Sequence, residues 1–249
     1  AELVAGLYLL YFVLRRSPVL RLQKGEHLRF NRPQLCTMLC IAAPVASEKV
    51  ILTTAQIVST AIVAPLGTVA IAANSFAITA ESLCYMPAYG IQSAAAMLVG
   101  QSVGAGRRNM ARRLGWVTVL IGVAVMIITG GLLYILAPQM MAILTPNPDI
   151  IALGARVLRI EAFAEPLFGA SIVAGGVFQG VGSTLIPTLF NLGTMWGIRI
   201  PLAWLAAPRW GLPGVWAAMC LELCVRGVLY LTRLVGKRWL PPGDQNVQA

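Results

Sequence analysis

Four glutamates lie deep inside long apolar stretches of this sequence, where an ionised side chain has few partners. They are Glu48, Glu81, Glu165 and Glu222. An ion at the centre of a hydrocarbon layer is costly unless it is paired or borders water. Carboxyl groups in such places mark ion pathways or polar cavities, so all four are candidates for a central cavity.

Three cationic side chains fall at similar depths, and they decide which acids are available for ion exchange. They are Lys49, Arg199 and Arg226, and some of the acids are therefore expected in structural ion pairs. Glu222 and Arg226 are four residues apart, a spacing that permits a pair along one helix face. Glu165 has two possible roles. Without a cationic neighbour it can exchange a proton and couple transport, whereas a pair with Arg199 makes it a permanent brace.

The elements that hold these groups are transmembrane helices. The sequence is 58% hydrophobic and 11% charged, with a mean hydropathy of +0.77, and apolar stretches recur that are long enough to cross a bilayer, about 20 residues each. We predict an all-α, polytopic transmembrane helical bundle of six full spans and one partial N-terminal helix. The predicted spans are 3–14 for the partial helix, then 35–59, 68–100, 115–138, 150–178, 185–207 and 212–235.

The same pattern predicts the organisation of the chain. Residues 1–14 are too few to span a bilayer, and Arg15 and Arg16 follow the apolar run rather than precede it, unlike a signal peptide. We therefore expect residues 1–14 to be the end of a truncated helix. Residues 15–34 are a predicted cytoplasmic linker, 35–240 a six-helix lobe and 241–249 a cytoplasmic tail.

Positive charge gathers on one side of the predicted bundle. The linker, the loop with Arg107, Arg108, Arg112 and Arg113, and the C-terminal tail are basic, whereas the connections on the opposite side contain only Arg209. Lysine and arginine accumulate at cytoplasmic ends of spans, so the linker, the Arg107 loop and the C-terminus are predicted to face the cytoplasm. This orientation accounts for the net charge of +10 without a nucleic-acid partner.

Prolines and large side chains indicate where the bundle bends and what it binds. Prolines within spans remove helix hydrogen bonds and are predicted to kink them. Aromatic and methionine side chains suit a cavity for organic cations or flat apolar compounds, although such residues also face lipid or fill cores. The predicted kinks are Pro87, Pro166, Pro187 and Pro201, and the predicted cavity residues are Tyr85, Met86, Tyr89, Met195 and Trp196.

Several longer motifs resemble those of a known transporter family. They are P-x-x-x-E at residues 44–48, APLGTVAIAANSFAITAESLCYMPAYGIQSAAAMLVGQSVGAG at 64–106, GGVFQGVGSTLIPTLFN at 175–191, and RIPLAW at 199–204. Together they are similar to the C-terminal lobe of MATE multidrug and toxic compound extrusion transporters. Family members usually have twelve helices in two lobes, so this chain resembles the end of helix six, the interlobe linker and helices seven to twelve.

The resemblance implies one lobe of an antiporter that exports organic, cationic compounds in exchange for H⁺ or Na⁺, with no other cofactor. MATE transporters commonly carry cation-binding acids on helices seven and ten, which makes Glu48 and Glu165 the candidate coupling residues. Both lie about one helical turn before the positions, near Leu52 and Phe168, where several members carry their acid. The implied partners are the lipid bilayer, a small organic substrate, and an N-terminal lobe or a second copy.

Other functions remain open at this point. A lipid-linked saccharide flippase of the same superfamily would need a larger and more cationic cavity, whereas the mid-span acids here at least match the cations. A non-autonomous structural lobe is a further alternative. A membrane-embedded enzyme has little support, because the single histidine, His27, falls in the predicted linker.

Overall fold

The computed structural model describes residues 2–15, 32–236 and 239–240. The predicted linker, apart from its ends, and the predicted tail at 241–249 lie outside the described residues. The chain divides into two units, residues 1–42 and residues 43–249. The described parts of both are almost entirely helical and contain no strand, which confirms the predicted all-α class.

Eight α-helices follow one another in the described part of the chain, with two short helical segments of other types. A 3₁₀ turn, Ala64–Leu66, follows α2, and a π-helical segment, Met195–Arg199, joins α7 to α8. The α-helices are α1 (Glu2–Arg15), α2 (Arg32–Val63), α3 (Thr68–Gly104), α4 (Arg108–Leu144), α5 (Pro148–Glu161), α6 (Glu165–Gly180), α7 (Leu185–Thr194) and α8 (Ile200–Val235).

Four helical stretches of the described chain are long and apolar enough to cross a membrane. They are Lys49–Leu66, Thr68–Gly104, Arg108–Leu144 and Leu185–Val235. These stretches contain the predicted spans at 68–100 and 115–138, and part of the one at 35–59. The protein is therefore a multi-pass membrane protein.

The last stretch, Leu185–Val235, is not one straight rod, because it reverses at Gly211. That glycine has φ 61° and ψ −147°, a conformation outside the helical region. The hydroxyl of Tyr230 donates to the carbonyl oxygen of Pro187 at 3.2 Å, although a straight helix would separate these residues by about 65 Å. The segments on either side of Gly211 therefore lie side by side. This agrees with the prediction of two separate spans, 185–207 and 212–235.

The predicted span at 150–178 is not continuous. The helix breaks at residues 162–164, between α5 and α6. Pro166 explains the break, because proline has no N–H to donate and its ring clashes with the carbonyl four residues earlier, at Ala162. The break places Glu161 at the end of one helix and Glu165 at the start of the next.

The connection between α3 and α4 is shorter than the arginine loop predicted from the sequence. Gly106 has φ 72°, which suits glycine, and the Arg107 N–H donates to the Ser102 carbonyl oxygen at 2.9 Å. Helix α4 begins at Arg108, so Arg108, Arg112 and Arg113 lie on its first turns rather than in a loop. The basic cluster is thus a helix end with one short turn before it.

Helices α3 and α6 approach each other through glycine. A Cβ at Gly100 would lie 3.2 Å from the carbonyl oxygen of Gly180, and one at Gly180 or Gly176 would overlap the carbonyl oxygen of Ala96 or Gln92. Small residues at such positions let membrane helices pack backbone to backbone. The side chain of Trp216 on α8 also donates to Asn74 on α3 at 2.9 Å, so α3 is held on two sides.

We expect Gly180→Ala to destabilise the lobe by about 1–3 kcal/mol, the usual effect of overpacking a tight contact. The added methyl group would push against the backbone of Ala96. Thermal unfolding in detergent measures the effect. Gly193→Ala is the matched control, because nothing lies within 4 Å of an added Cβ there, and an equal loss in both variants would contradict the tight contact.

Candidate functional site

Four carboxyl groups are buried in the interior of residues 43–249. Glu81 lies on α3, Glu161 ends α5, Glu165 begins α6 and Glu222 lies on α8. Glu81 is 7% exposed, and the other three are fully buried. Glu161 was not among the predicted residues. Its spacing of four from Glu165 was the signal that could have identified it.

The break between α5 and α6 positions two of these acids. The Ala164 N–H donates to the Glu161 carbonyl oxygen at 2.8 Å, and the Phe168 N–H to the Ala164 carbonyl oxygen at 2.8 Å, so the turn itself is well bonded. Gly130 of α4 leaves room for Glu165, whose Cβ lies 3.0 Å from where a Gly130 Cβ would be. A side chain at position 130 would displace Glu165.

The acids differ in their partners. Arg226 donates to both carboxylate oxygens of Glu222, at 2.8 Å and 2.7 Å, which confirms the pair predicted from their spacing. The carboxyl oxygens of Glu161 and Glu165 have no hydrogen-bond partner among the described residues. Two of the four acids are therefore buried without a hydrogen-bond partner among the described residues.

The predicted brace between Glu165 and Arg199 does not form. The Arg199 Nη2 lies 2.7 Å from the Met219 sulfur, its Nε has no described partner, and no ion pair joins it to Glu165. Arg199 is instead close enough to Glu161 and Glu81 for their charges to interact. Glu165 is therefore not a structural ion-pair partner of Arg199.

The four acids form one electrostatic group. Glu161 lies within range of the charges of Glu81, Glu165, Glu222 and Arg199. Two guanidinium groups, of Arg199 and Arg226, thus face four carboxyl groups in one region. We call the residues Glu81, Glu161, Glu165, Arg199, Glu222 and Arg226 the charged cluster.

A cavity of about 250 Å³ lies beside the charged cluster. Helix α2 contributes polar and apolar side chains to its wall, α3 contributes Glu81 and two tyrosines, and the helices after residue 167 complete it. Leu52 and Phe168, near which the resemblance stated above places the acids of several members, both line it. The full lining is Lys49, Leu52, Thr53, Gln56, Ile78, Glu81, Tyr85, Tyr89, Phe168, Met195, Arg199, Met219, Leu223 and Arg226.

Aromatic rings form one side of this cavity. The ring centroids of Tyr85 and Tyr89 are 5.6 Å apart, and those of Tyr85 and Phe168 are 5.8 Å apart, both edge to face. Three of the predicted cavity residues, Tyr85, Tyr89 and Met195, therefore line it. Met86 and Trp196 do not line it and are exposed on the surface of the described chain.

The other predicted residues lie as follows. Glu48 is on α2, and its side chain is outside the described part of the structure. Pro87 lies inside α3, Pro166 follows the break at 162–164, and Pro201 follows the π-helical segment. Pro187 differs from the prediction, because it lies in the first turn of α7, where no intrahelical N–H is lost.

The described residues contain no group of three or more His, Cys, Asp or Glu side chains arranged to hold a metal ion. The cysteines Cys36, Cys84, Cys220 and Cys224 are free; Cys36 is exposed and Cys84 is buried. The site is thus a buried charged cluster beside an aromatic cavity in a bundle of membrane helices, as in a carrier for small solutes.

Comparisons with known proteins identify the class of carrier. The MatE family profile matches residues 44–205. The chain is 30% identical over 186 residues to the "Probable multidrug resistance protein NorM" of Chromobacterium violaceum, covering 71% of this chain and 40% of that protein. It is 28% identical over 226 residues to the NorM of Mesorhizobium japonicum, covering 88% and 48%.

Solved structures show the same fold. "Crystal structure of MATE in complex with MaL6" matches with a TM-score of 0.82 at 15% identity, over 94% of this chain and 54% of that one. The Vibrio cholerae MATE transporter VcmN in its bent form matches with a TM-score of 0.77 at 16% identity, over 88% and 51%. The chain belongs to the MATE family, and it spans about half the length of these relatives.

Proposed function

We propose that this chain is one lobe of a secondary antiporter that exports organic cations in exchange for H⁺ or Na⁺. The observation that carries the proposal is the excess of buried carboxyl groups beside the cavity, because Glu161 and Glu165 have no described hydrogen-bond partner. A buried anion without a partner is strongly unfavourable. A proton, a sodium ion or a cationic substrate would supply the compensating charge, and competition among them is what exchange requires.

The cavity supports the choice of substrate class. Tyr85, Tyr89 and Phe168 offer aromatic edges and faces, and Glu81 offers a carboxyl group in the same wall. Aromatic faces attract organic cations when both are desolvated. A saccharide-lipid flippase, the alternative within the superfamily, would bind phosphate groups and favour a cavity with more cations than acids. The cavity lining itself contains one acid, Glu81, and three cations, Lys49, Arg199 and Arg226. The preference for the antiporter therefore rests on the aromatic wall and on the acids buried next to the lining, Glu161 and Glu165, rather than on the charge of the lining.

Transport by this mechanism needs a second lobe. Carriers built from repeated bundles move one bundle against another around a site at their interface. We expect the 249-residue chain, expressed alone as a monomer, to fail to export a fluorescent cationic dye from cells. Co-expression with an N-terminal MATE lobe, or pairing of the chain with itself, should restore export.

Dye efflux from cells that lack their own exporters measures export by the single chain and by the two co-expressed lobes. The chain with Glu165→Gln, co-expressed with the same N-terminal lobe, is the control for export that depends on the charged cluster. Robust export by a verified monomer would contradict the proposal. A reconstituted pair that moves a lipid-linked saccharide but no cationic dye would favour the flippase.

We also propose that the lobe crosses the membrane six times, with the Arg107 turn in the cytoplasm. The six crossings would be α2, α3, α4, α5 with α6, the segment from Leu185 to Gly211, and the segment after Gly211. The cytoplasmic placement of the Arg107 turn follows from the preference of positively charged residues for the cytoplasmic face of the membrane.

In a cysteine-free background, we expect Asn109→Cys to react with an impermeant thiol reagent only after cell lysis. Asn109 is exposed in the turn region at the start of α4. Pro146→Cys, exposed in the turn between α4 and α5, is the matched variant for the opposite side and should react in intact cells. The reverse labelling pattern would invert the topology.

A further inference from the structure

Helix α5 has two arginines on its outer face that the charged cluster does not use. Arg156 and Arg159 are three residues apart and exposed, whereas Val157, Leu158 and Glu161 on the opposite face are buried. Residues three apart lie on the same side of a helix. Neither arginine belongs to the predicted basic loops, and both lie toward the side of the lobe opposite the Arg107 turn.

The depth of these arginines in the membrane follows from their neighbour on α4. The Arg159 Nε donates to the Tyr134 carbonyl oxygen at 3.4 Å, and its guanidinium lies 5.6 Å from the Tyr134 ring centroid. Tyr134 is four residues, or about 6 Å, before the end of the span predicted at 115–138. Arg156 is one turn nearer the helix start at Pro148. Along α5, Arg156 and Arg159 lie 8 and 11 residues, or about 12 and 17 Å, from the helix start at Pro148. Their guanidinium groups reach lipid headgroups only through the length of the side chains.

No acidic side chain among the described residues forms an ion pair with either arginine. Among the described residues, the one ion pair joins Glu222 and Arg226, and Arg156 makes no hydrogen bond with a described residue. Side chains on a helix lean toward its N-terminus, so both guanidinium groups extend toward the membrane surface at Pro148. Long arginine side chains reach headgroups in this way.

A groove of about 930 Å³ runs beside these arginines. Besides Arg156 and Arg159, its walls include the apolar or aromatic side chains of Ile151, Ile160, Tyr134 and Phe163. Phe163 is 72% exposed, and its ring packs edge to face on Tyr134 with centroids 5.8 Å apart. The groove thus combines two cations with apolar side chains that flank them on both sides along α5.

We propose that this groove binds an anionic phospholipid from the leaflet at the Pro148 end of α5. The phosphate group would bind Arg156 and Arg159, and an acyl chain would lie along Tyr134 and Phe163. Charge complementarity selects this occupant, because the groove has two positive charges, no described negative one, and an exposed apolar surface. A zwitterionic lipid brings its own cation near the arginines and binds less well.

The test uses the full 249-residue chain, purified in detergent and supplied with phosphatidylglycerol or phosphatidylcholine. Native mass spectrometry counts the bound lipids. We expect the chain to retain phosphatidylglycerol preferentially, and Arg156→Gln to reduce that retention about tenfold, the effect of losing one charged hydrogen bond. Arg156→Glu should abolish the preference. Both variants should fold, because Arg156 has no described partner to lose.

Arg209→Gln is the matched control. Arg209 is an exposed arginine in a separate apolar groove that contains no second arginine, so its replacement should leave the lipid preference unchanged. An undiminished preference in Arg156→Glu would overturn the proposal. Loss of a dimer in Arg156→Glu, with lipid retention unchanged, would assign the groove to a second copy of the chain and would also overturn it.

Discussion

Replacing Glu165 by glutamine should abolish ion-driven export by a two-lobe transporter that contains this chain. Glutamine keeps the size of the side chain but cannot exchange a proton or balance a cation. Losing a charged ligand from a buried cation site costs about 3 kcal/mol, or a hundredfold in affinity. The loss of stability should stay under about 1 kcal/mol, because the carboxyl oxygens of Glu165 have no described partner.

Export driven by an imposed pH or sodium gradient in proteoliposomes measures the effect, and thermal unfolding checks the fold. Asp149→Asn, an exposed acid at the start of α5, is the matched control and should export normally. The double variant Glu165→Gln with Arg199→Gln should not recover activity or stability, since these residues are not paired. Normal coupled export by a stable Glu165→Gln protein would leave Glu48 as the better candidate.

A second large effect is expected at the buried ion pair of α8. Arg226→Gln leaves Glu222, which is fully buried, without its bidentate partner. Removing one member of a buried pair costs about 3–5 kcal/mol, so we expect a corresponding loss of unfolding free energy. Glu222→Gln with Arg226→Gln should recover most of it, because two neutral amides at this spacing can bond to each other.

Unfolding in detergent, followed by tryptophan fluorescence, measures this loss. Arg209→Gln, which removes an exposed arginine of the same region of the chain, should change the unfolding free energy by less than about 0.5 kcal/mol. If Arg226→Gln and Arg209→Gln were equally stable, the pair would have no structural role. The charges of Glu222 and Arg226 would then be available to the cavity.

Helix positions were predictable from the sequence because long apolar runs leave few alternatives. The pair of Glu222 and Arg226 was also predictable, because it depends only on spacing within one helix. The break before Glu165 was harder to predict, since apolar composition continues through residues 162–164 and Pro166 was the single local signal. A proline can kink a helix or begin one, and the surrounding contacts decide which.

Other features depend on which helix faces meet, and one sequence does not contain that information. Averaged hydropathy concealed Arg156 and Arg159, because two charges on one face hardly change the mean of an apolar helix. Which acids line the cavity depends on tertiary packing. Glu81 reaches its wall, whereas Glu165 does not line it and lies against Gly130. The coupling roles of Glu48 and Glu165 remain predictions.

The attachment of α2 gives the cavity one wall that can move. Of the described side chains of α2, those buried are Ala55, Ser59 and Val63, a single narrow stripe. Helices in lipid associate through packing rather than water exclusion. Apart from this stripe, Ile62 packs partly against the core, so the described part of α2 has fewer contacts to lose than α3 or α6. Helices α3 and α6 are in backbone contact and would move as one rigid body. Widening the cavity to admit a larger solute would therefore leave the charged cluster intact and shift α2 alone.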